Sequence, residues 1–342
     1  MKKILSILMS LILVVGIFTG CGQEEASDKQ VETNSKAEND SGEEYVIKLG
    51  HVLATDHPVH ISLQGASDKI KERTSGKVDI QIYPNGELSS YQDGVESVIA
   101  GAPYIFYSSP GQFSDYVPNF AALQAPFLYG SFEEYSALMD TEVISKLKEE
   151  ADAAGIHTLS LNFVSGFRNL LTDYPVNSVE DIENLKIRVP GNPVFVKPFE
   201  LMNTNPSSIN WSETYTSLQQ GVVDAIEGTS NNIYNAKMFE VKNVVTETAH
   251  IIDLSGVFIG TKYWDTLPTE YKEIITEEIA KAEVVQNDLA KKADSEFKEK
   301  LMAEGVTFNE VDKSSFQEAT KSIVLEYEIG QELLDTIAEV NK

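Results

Sequence analysis

From Pro268 to Glu304 the chain carries no further proline and no glycine, and apolar residues recur at three- and four-residue steps through Tyr271, Ile274, Ile275, Ile279, Ala282, Val285, Leu289, Phe297 and Leu301. That spacing puts them on one face of a helix. Pro268 suits its first position, where a backbone N–H would have no partner. At 1.5 Å rise per residue an unbroken helix of this length is about 50 Å long, more than the width of a small domain. It must therefore lie across two compact bodies. The length of 342 residues agrees, because single hydrophobic cores stop growing at about 250–300 residues.

The segments before that helix alternate between strand-like and helical. Tyr45 to Leu49 reads as a strand, and His57 to Thr74 as a helix with Val59, Leu63, Ala66 and Ile70 on one face and Gly76 just beyond its end. Val78 to Tyr83 alternates as a strand before the turn Pro84-Asn85-Gly86, Tyr91 to Ala100 reads as a short helix, and Tyr104 to Tyr107 as another strand. This is the rhythm of an α/β lobe. A second lobe runs from about Gly166 to Asp253, with a strand at Lys186 to Val189 stopped by Pro190 and Gly191, a helix at Ser212 to Gln220 and a strand at Val222 to Ile226.

The N-terminus opens with Met1, Lys2 and Lys3, followed by an apolar run from Ile4 to Phe18, then Thr19, Gly20 and the only cysteine, Cys21. That is the pattern of a signal peptide, and the run is shorter than the ~20 residues that span a bilayer. Small residues before a lone cysteine resemble the lipobox of bacterial lipoproteins, although Phe18 stands where leucine is usual. The resemblance implies cleavage before Cys21 and a diacylglycerol on its thiol. Residues 22–44 are rich in Glu, Asp, Ser, Asn, Lys and Gln, too polar to fill a core. The expectation is a lipoprotein signal peptide over 1–20, a lipidated, disordered tether over 21–44, and a folded part held outside the cytoplasm against the cell membrane. With Cys21 as anchor, neither a disulfide nor a thiolate metal site remains.

There are 27 basic residues against 53 acidic ones, a net charge of −26. Such a chain does not bind nucleic acid non-specifically. An anionic ligand must be captured by a local positive site against the overall field.

No phosphate-binding glycine loop, GxSxG elbow, HExxH or dinucleotide fingerprint occurs. The nearest approach to a metal constellation is His51, Asp56, His57 and His60, which suits a surface-anchored metal-dependent hydrolase or lyase. The alternative is structural: Asp56 caps a helix whose first turn holds His57 and Pro58. Among the few positive side chains, Arg188 lies near the end of the strand Lys186–Val189, where ligands collect in open α/β sheets, and Arg168 lies at the expected lobe junction. A guanidinium matches a carboxylate bidentately, but each arginine is equally open to a structural acid partner. Tyr91, Phe106, Tyr107, Phe163 and Trp211 suit either a pocket lining or a core.

The order of short segments resembles the DctP-type solute-binding receptors of TRAP transporters, the tripartite ATP-independent periplasmic transporters. The matching stretches are Tyr83-Pro84-Asn85-Gly86-Glu87-Leu88, Gly101-Ala102 with Ser108-Ser109-Pro110, Ala125-Pro126-Phe127-Leu128, Gly166-Phe167-Arg168 and Asp181 to Pro190. They continue with Trp211 to Tyr215, Leu218 to Glu227, Thr248-Ala249-His250 and Trp264 to Pro268. The resemblance implies a two-lobed α/β fold of periplasmic-binding-protein type, with a ligand cleft between lobes and one long helix spanning both. Residues 45–165 and 254–293 would form lobe I, and 166–253 with 294–342 lobe II. It implies a receptor, not an enzyme, without a cofactor or metal, that delivers a small carboxylate or sugar acid to a TRAP-type permease. By the same resemblance Arg188 clamps the ligand carboxylate and Arg168 assists. Tyr91, Ser109 and Trp211 would face the cleft, with Pro190, Asn192 and Glu227 beside the clamp. The chain departs from the family pattern at Gly228, where asparagine is common, and at Ser89, Ser90 and Tyr91, which replace glycine and acidic residues.

Overall fold

A computed structural model describes residues 43–342. The expected signal peptide, Cys21 and the tether apart from Glu43 and Glu44 lie outside the described residues. Among the described residues nine strands form one sheet: β1 Tyr45–Gly50, β2 Val78–Tyr83, β3 Tyr104–Ser108, β4 Ile156–Thr172, β5 Lys186–Val189, β6 Asn205–Ser208, β7 Ala225–Gly228, β8 Val244–Gly260 and β9 Thr307–Asn309. The order is β2-β1-β3-β8-β4-β7-β5-β6, with β9 beside β8. Each flank is parallel (β2-β1-β3 and β7-β5-β6), while the central β3-β8-β4-β7 pairings are antiparallel.

The centre is what joins the two halves. β4 and β8 are 17 residues each, enough for one end of the pair to meet β3 at Ser108↔Gly256 and the other to meet β7 at Leu170↔Glu227. Neither was recognised from the sequence. Their pairing slips between Ser160 and Phe163 and again between Val164 and Phe167, so the apolar–polar alternation that marks a strand is broken.

Strand alternation sends neighbours to opposite faces of the sheet. Tyr104 and Phe106 join a core with Phe113, Phe120 and Phe258, while Ile105 and Tyr107 join another with Ile47, Val59 and Ile275. In the second half, Leu170 packs with Ile187, Phe195 and Phe199, and Leu171 with Leu218, Ile226 and Val245. The expected strand at Val222 to Ile226 instead begins at Ala225, after the turn that follows Gly221.

The long helix spans Thr269–Ala303, with Pro268 as its N-cap instead of its first residue. Ile274, Ile275, Ile279 and Ala282 enter a core of the first half, and Leu301 enters a core of the second. Between them buried Ala290 and Ala293 are joined by a set of polar contacts to β4. Asn287 accepts from Val164 N at 2.9 Å and donates to Asn162 O at 2.7 Å; Gln286 donates to Val164 O at 3.1 Å. Glu283 accepts from Ser160 Oγ and Asn162 Nδ2 at 2.6 and 2.8 Å. These bonds serve the stretch of β4 where the ladder slips, as buried backbone groups require. Val285, expected on the apolar face, is exposed.

The C-terminal helix packs with residues of the first half. The helix Gly330–Val340 places Leu333 and Ile337 among the first-half residues Phe113, Phe120 and Leu147, although 294–342 was expected to belong wholly to lobe II.

Candidate functional site: an arginine-lined cavity between the two halves

Arg188 is the third residue of β5, a strand ended by Pro190. It is 1% exposed, its Nε donates to the Ile209 carbonyl at 2.9 Å, and its guanidinium lies 5.2 Å from the Trp211 ring centroid. Its Nη2 is buried with no acceptor among the described residues. Burial pulls its pKa below the usual arginine value, with Tyr91 and Glu227 opposing. A buried cation with a free donor edge is costly unless an anion completes it.

Arg168 is the contrasting case. It follows Gly166, whose φ of +130° is open to glycine and strained for other residues, at a bulge that turns β4. Its Nε and Nη2 grip the Glu227 carboxylate, the second contact at 2.6 Å, and its Nη1 lies 3.0 Å from Asp253 Oδ2. Phe195 covers it at 4.9 Å. Burial alone would raise the Glu227 carboxyl, but the Arg168 charge and hydrogen bonds hold it down at about 2. For Asp253 burial prevails over Arg168 and raises its pKa. Arg168 itself is held above the ordinary value: burial works against its charge, and the two carboxylates outweigh it. Behind the pair, His250 Nε2 is 3.4 Å from Glu227 and its Nδ1 is 2.8 Å from Thr248 Oγ1.

Residues of the two halves enclose a cavity of about 70 Å³, several times the ~10–15 Å³ that one water needs. Arg188, Arg168, Trp211, Tyr91, Ser109 and Pro190 all line it. Tyr91 opens the helix Tyr91–Ile99, capped by Ser90, and feels the charge of both arginines. Ser109 donates to Gln124 Oε1. Two expected residues stand outside the lining. Asn192 caps the helix Pro193–Leu201 by accepting from Val194 N, and Glu227 is fully buried behind Arg168. Of the aromatics left open by the sequence, Tyr107 also reaches the cavity, while Phe106 and Phe163 are core residues.

The histidine cluster comes apart. His51 Nδ1 accepts from Leu53 N at 3.2 Å, so its Nε2 carries the proton shared with His60 Nδ1 at 3.1 Å. His57, not Asp56, is the N-cap of the helix Pro58–Arg73, and Asp56 is exposed. Among the described residues no group of three His, Cys, Asp or Glu side chains is arranged to hold a metal. His57 lines the cavity instead, as do Asn232, Asp253, Ser165 and Ser255. Sequence reasoning missed Ser165, Asp253 and Ser255, which lie on the two unrecognised long strands.

The chain is 28% identical over 315 residues to a C4-dicarboxylate-binding periplasmic protein of Vibrio cholerae, covering 90% of this chain and 94% of that one. A TRAP periplasmic solute-binding protein from Desulfovibrio salexigens, solved with diglycerolphosphate, superposes with a TM-score of 0.85 at 34% identity, over 87% of this chain and 98% of its own. One from Actinobacillus succinogenes, solved with L-galactonate, gives 0.82 at 26% identity, over 86% and 99%. The fold is thus the two-lobed α/β type of these receptors. Residues 49–330 match one family throughout, and the chain belongs to it: the DctP family, bacterial extracellular solute-binding protein family 7.

Proposed function

We propose that the protein captures a small organic anion, a carboxylate, sugar acid or phosphate ester, in the cavity between its lobes and delivers it to a TRAP-type permease. The observation that carries this reading is Arg188, fully buried and with a free donor edge. Arg168 already has two carboxylate partners, so the ligand's anionic group goes to Arg188, with the Trp211 ring over the guanidinium and Tyr91 beside it. Arg168, held by Glu227, fixes that wall of the site. Ser109 and Pro190 line it, and Asn192 lies beside the clamp as the cap of the following helix. The ligands of the compared proteins, a C4-dicarboxylate, a phosphodiester and a sugar acid, are all anions.

The lobes divide as residues 45–165 with 254–293, and 166–253 with the chain after 294 up to the last helix, which returns to lobe I. Cys21 carries the lipid that holds the receptor at the cell membrane, since a diacyl group plus an N-acyl chain supplies the two signals stable anchoring needs. Mass spectrometry of small molecules released on denaturing the purified protein tests the ligand class. An organic anion is expected; a bound solute without any anionic group contradicts the reading. Palmitate labelling lost in Cys21→Ala supports the anchor, and labelling retained in that variant removes it.

A further inference from the structure

Among the described residues the charged side chains that line the cavity are paired, save for one edge of Arg188 and one oxygen of Asp253. Arg168 is held by Glu227 and Asp253, and Arg188 has its free Nη2. A ligand with a second carboxylate would set that group against Asp253, with no free cation to receive it.

The first-half wall offers a different donor. His57 Nδ1 accepts from Val59 N at 3.2 Å as the helix cap, which places the ring proton on Nε2. That Nε2 is buried, lacks any acceptor among the described residues, and belongs to a ring 3% exposed. Burial holds the imidazole neutral, with a pKa of about 4, and the nearby Asn232 side chain, which makes no full hydrogen bond with Nε2, opposes the shift. It is one uncharged N–H donor of fixed tautomer. Asp253 supplies the complementary acceptor: the bonds it takes from Arg168 and from Asn232 Nδ2, the latter at 3.2 Å, both end on Oδ2. No hydrogen bond among the described residues ends on its Oδ1, and the residue lines the cavity.

A group that donates to a carboxylate and accepts from a neutral N–H is a hydroxyl. A carboxylate only accepts, and an ammonium only donates. Building on the Arg188 clamp, we infer that the site selects a solute with one anionic group and hydroxyls on the rest of its body, read by His57 Nε2 and Asp253 Oδ1. Unsubstituted dicarboxylates and amino acids are rejected. The anionic head is a carboxylate or a phosphate.

Ligand-free full-length protein titrated calorimetrically with gluconate, glycerol 3-phosphate, hexanoate, succinate and glutamate tests this. At least one of the two hydroxylated probes should bind tenfold or more tightly than the other three, and which of the two binds identifies the head group. His57→Asn retains a good N-cap but withdraws the Nε2 donor. It should weaken the hydroxylated probe roughly five- to hundredfold and leave hexanoate within twofold. Succinate or glutamate binding as tightly as the hydroxylated probes overturns the inference, as does a His57→Asn loss equal for all probes. Binding that requires Arg188 but ignores hydroxyls defeats this inference alone. Binding unaffected by Arg188→Ala defeats the clamp beneath it.

Discussion

Arg168 and Glu227 form a two-pronged ion pair with neither partner open to solvent: Nη2 lies 2.6 Å from Oε1, and the side chains are 6% and 0% exposed. Breaking such a pair leaves a buried charge uncompensated, at a cost of about 3–5 kcal/mol. Glu227→Gln, which keeps the shape, should lower stability in urea denaturation by that order. A loss below about 1 kcal/mol would show that Asp253 suffices. The carboxyl, held at about 2, is depressed from its unfolded value of about 4.3. Its contribution is therefore complete above that value and lost as pH falls from there toward 2.

Two histidines add an acid sensitivity at higher pH. Burial lowers His51 to about 3, assisted by His60 and His57, and burial lowers His57 to about 4. Both are neutral in folded and unfolded chains above about pH 6.5. Below it the unfolded chain takes up protons that the folded chain refuses, so stability falls between about pH 6.5 and 4. His51→Asn and His57→Asn should each flatten that slope in denaturant titrations across this range. An unchanged slope would mean the rings are protonated in the folded protein.

The seam between the long helix and β4 depends on Asn287, which meets both Val164 N and Asn162 O. Asn287→Ala strands a backbone N–H at a bulge and should cost about 1–3 kcal/mol. Asn287→Asp keeps the acceptor for Val164 and should cost less. Equal losses in the two variants would place the effect in the lost donor.

How far the sequence disclosed this arrangement depends on local pattern. The helix Thr269–Ala303 was legible because its spacing is unbroken, and the strand of Arg188 because it is short and closed by Pro190; the role of the arginine came from the family resemblance, not from the residues. β4 and β8 were not, since Ser160, Asn162, Ser165 and Arg168 interrupt their apolar pattern where the register slips. With those strands went Asp253, which a charge-rich sequence does not distinguish from a surface acid. His57 was weighed as a metal ligand or a first-turn residue because it lies beside two other histidines. Its Nε2, buried and without an acceptor among the described residues, separates it from His51 and His60, which bond each other. Polar residues that brace a bulge and polar residues that face a ligand look alike until the register is known.

Arg188 carries the account. A guanidinium clamp on a desolvated anion should be worth about 3–5 kcal/mol when one partner is removed, roughly a hundred- to several-thousand-fold in affinity. Arg188→Lys should also bind poorly, because an ammonium keeps the charge but loses the planar fork. The direct measurement is a calorimetric titration of wild-type, Arg188→Lys and Arg188→Ala proteins with the anion released from the native receptor, each protein first shown to be folded by circular dichroism. A loss of at least a hundredfold for Arg188→Ala is the predicted result, and near-wild-type affinity in that folded variant would contradict the clamp.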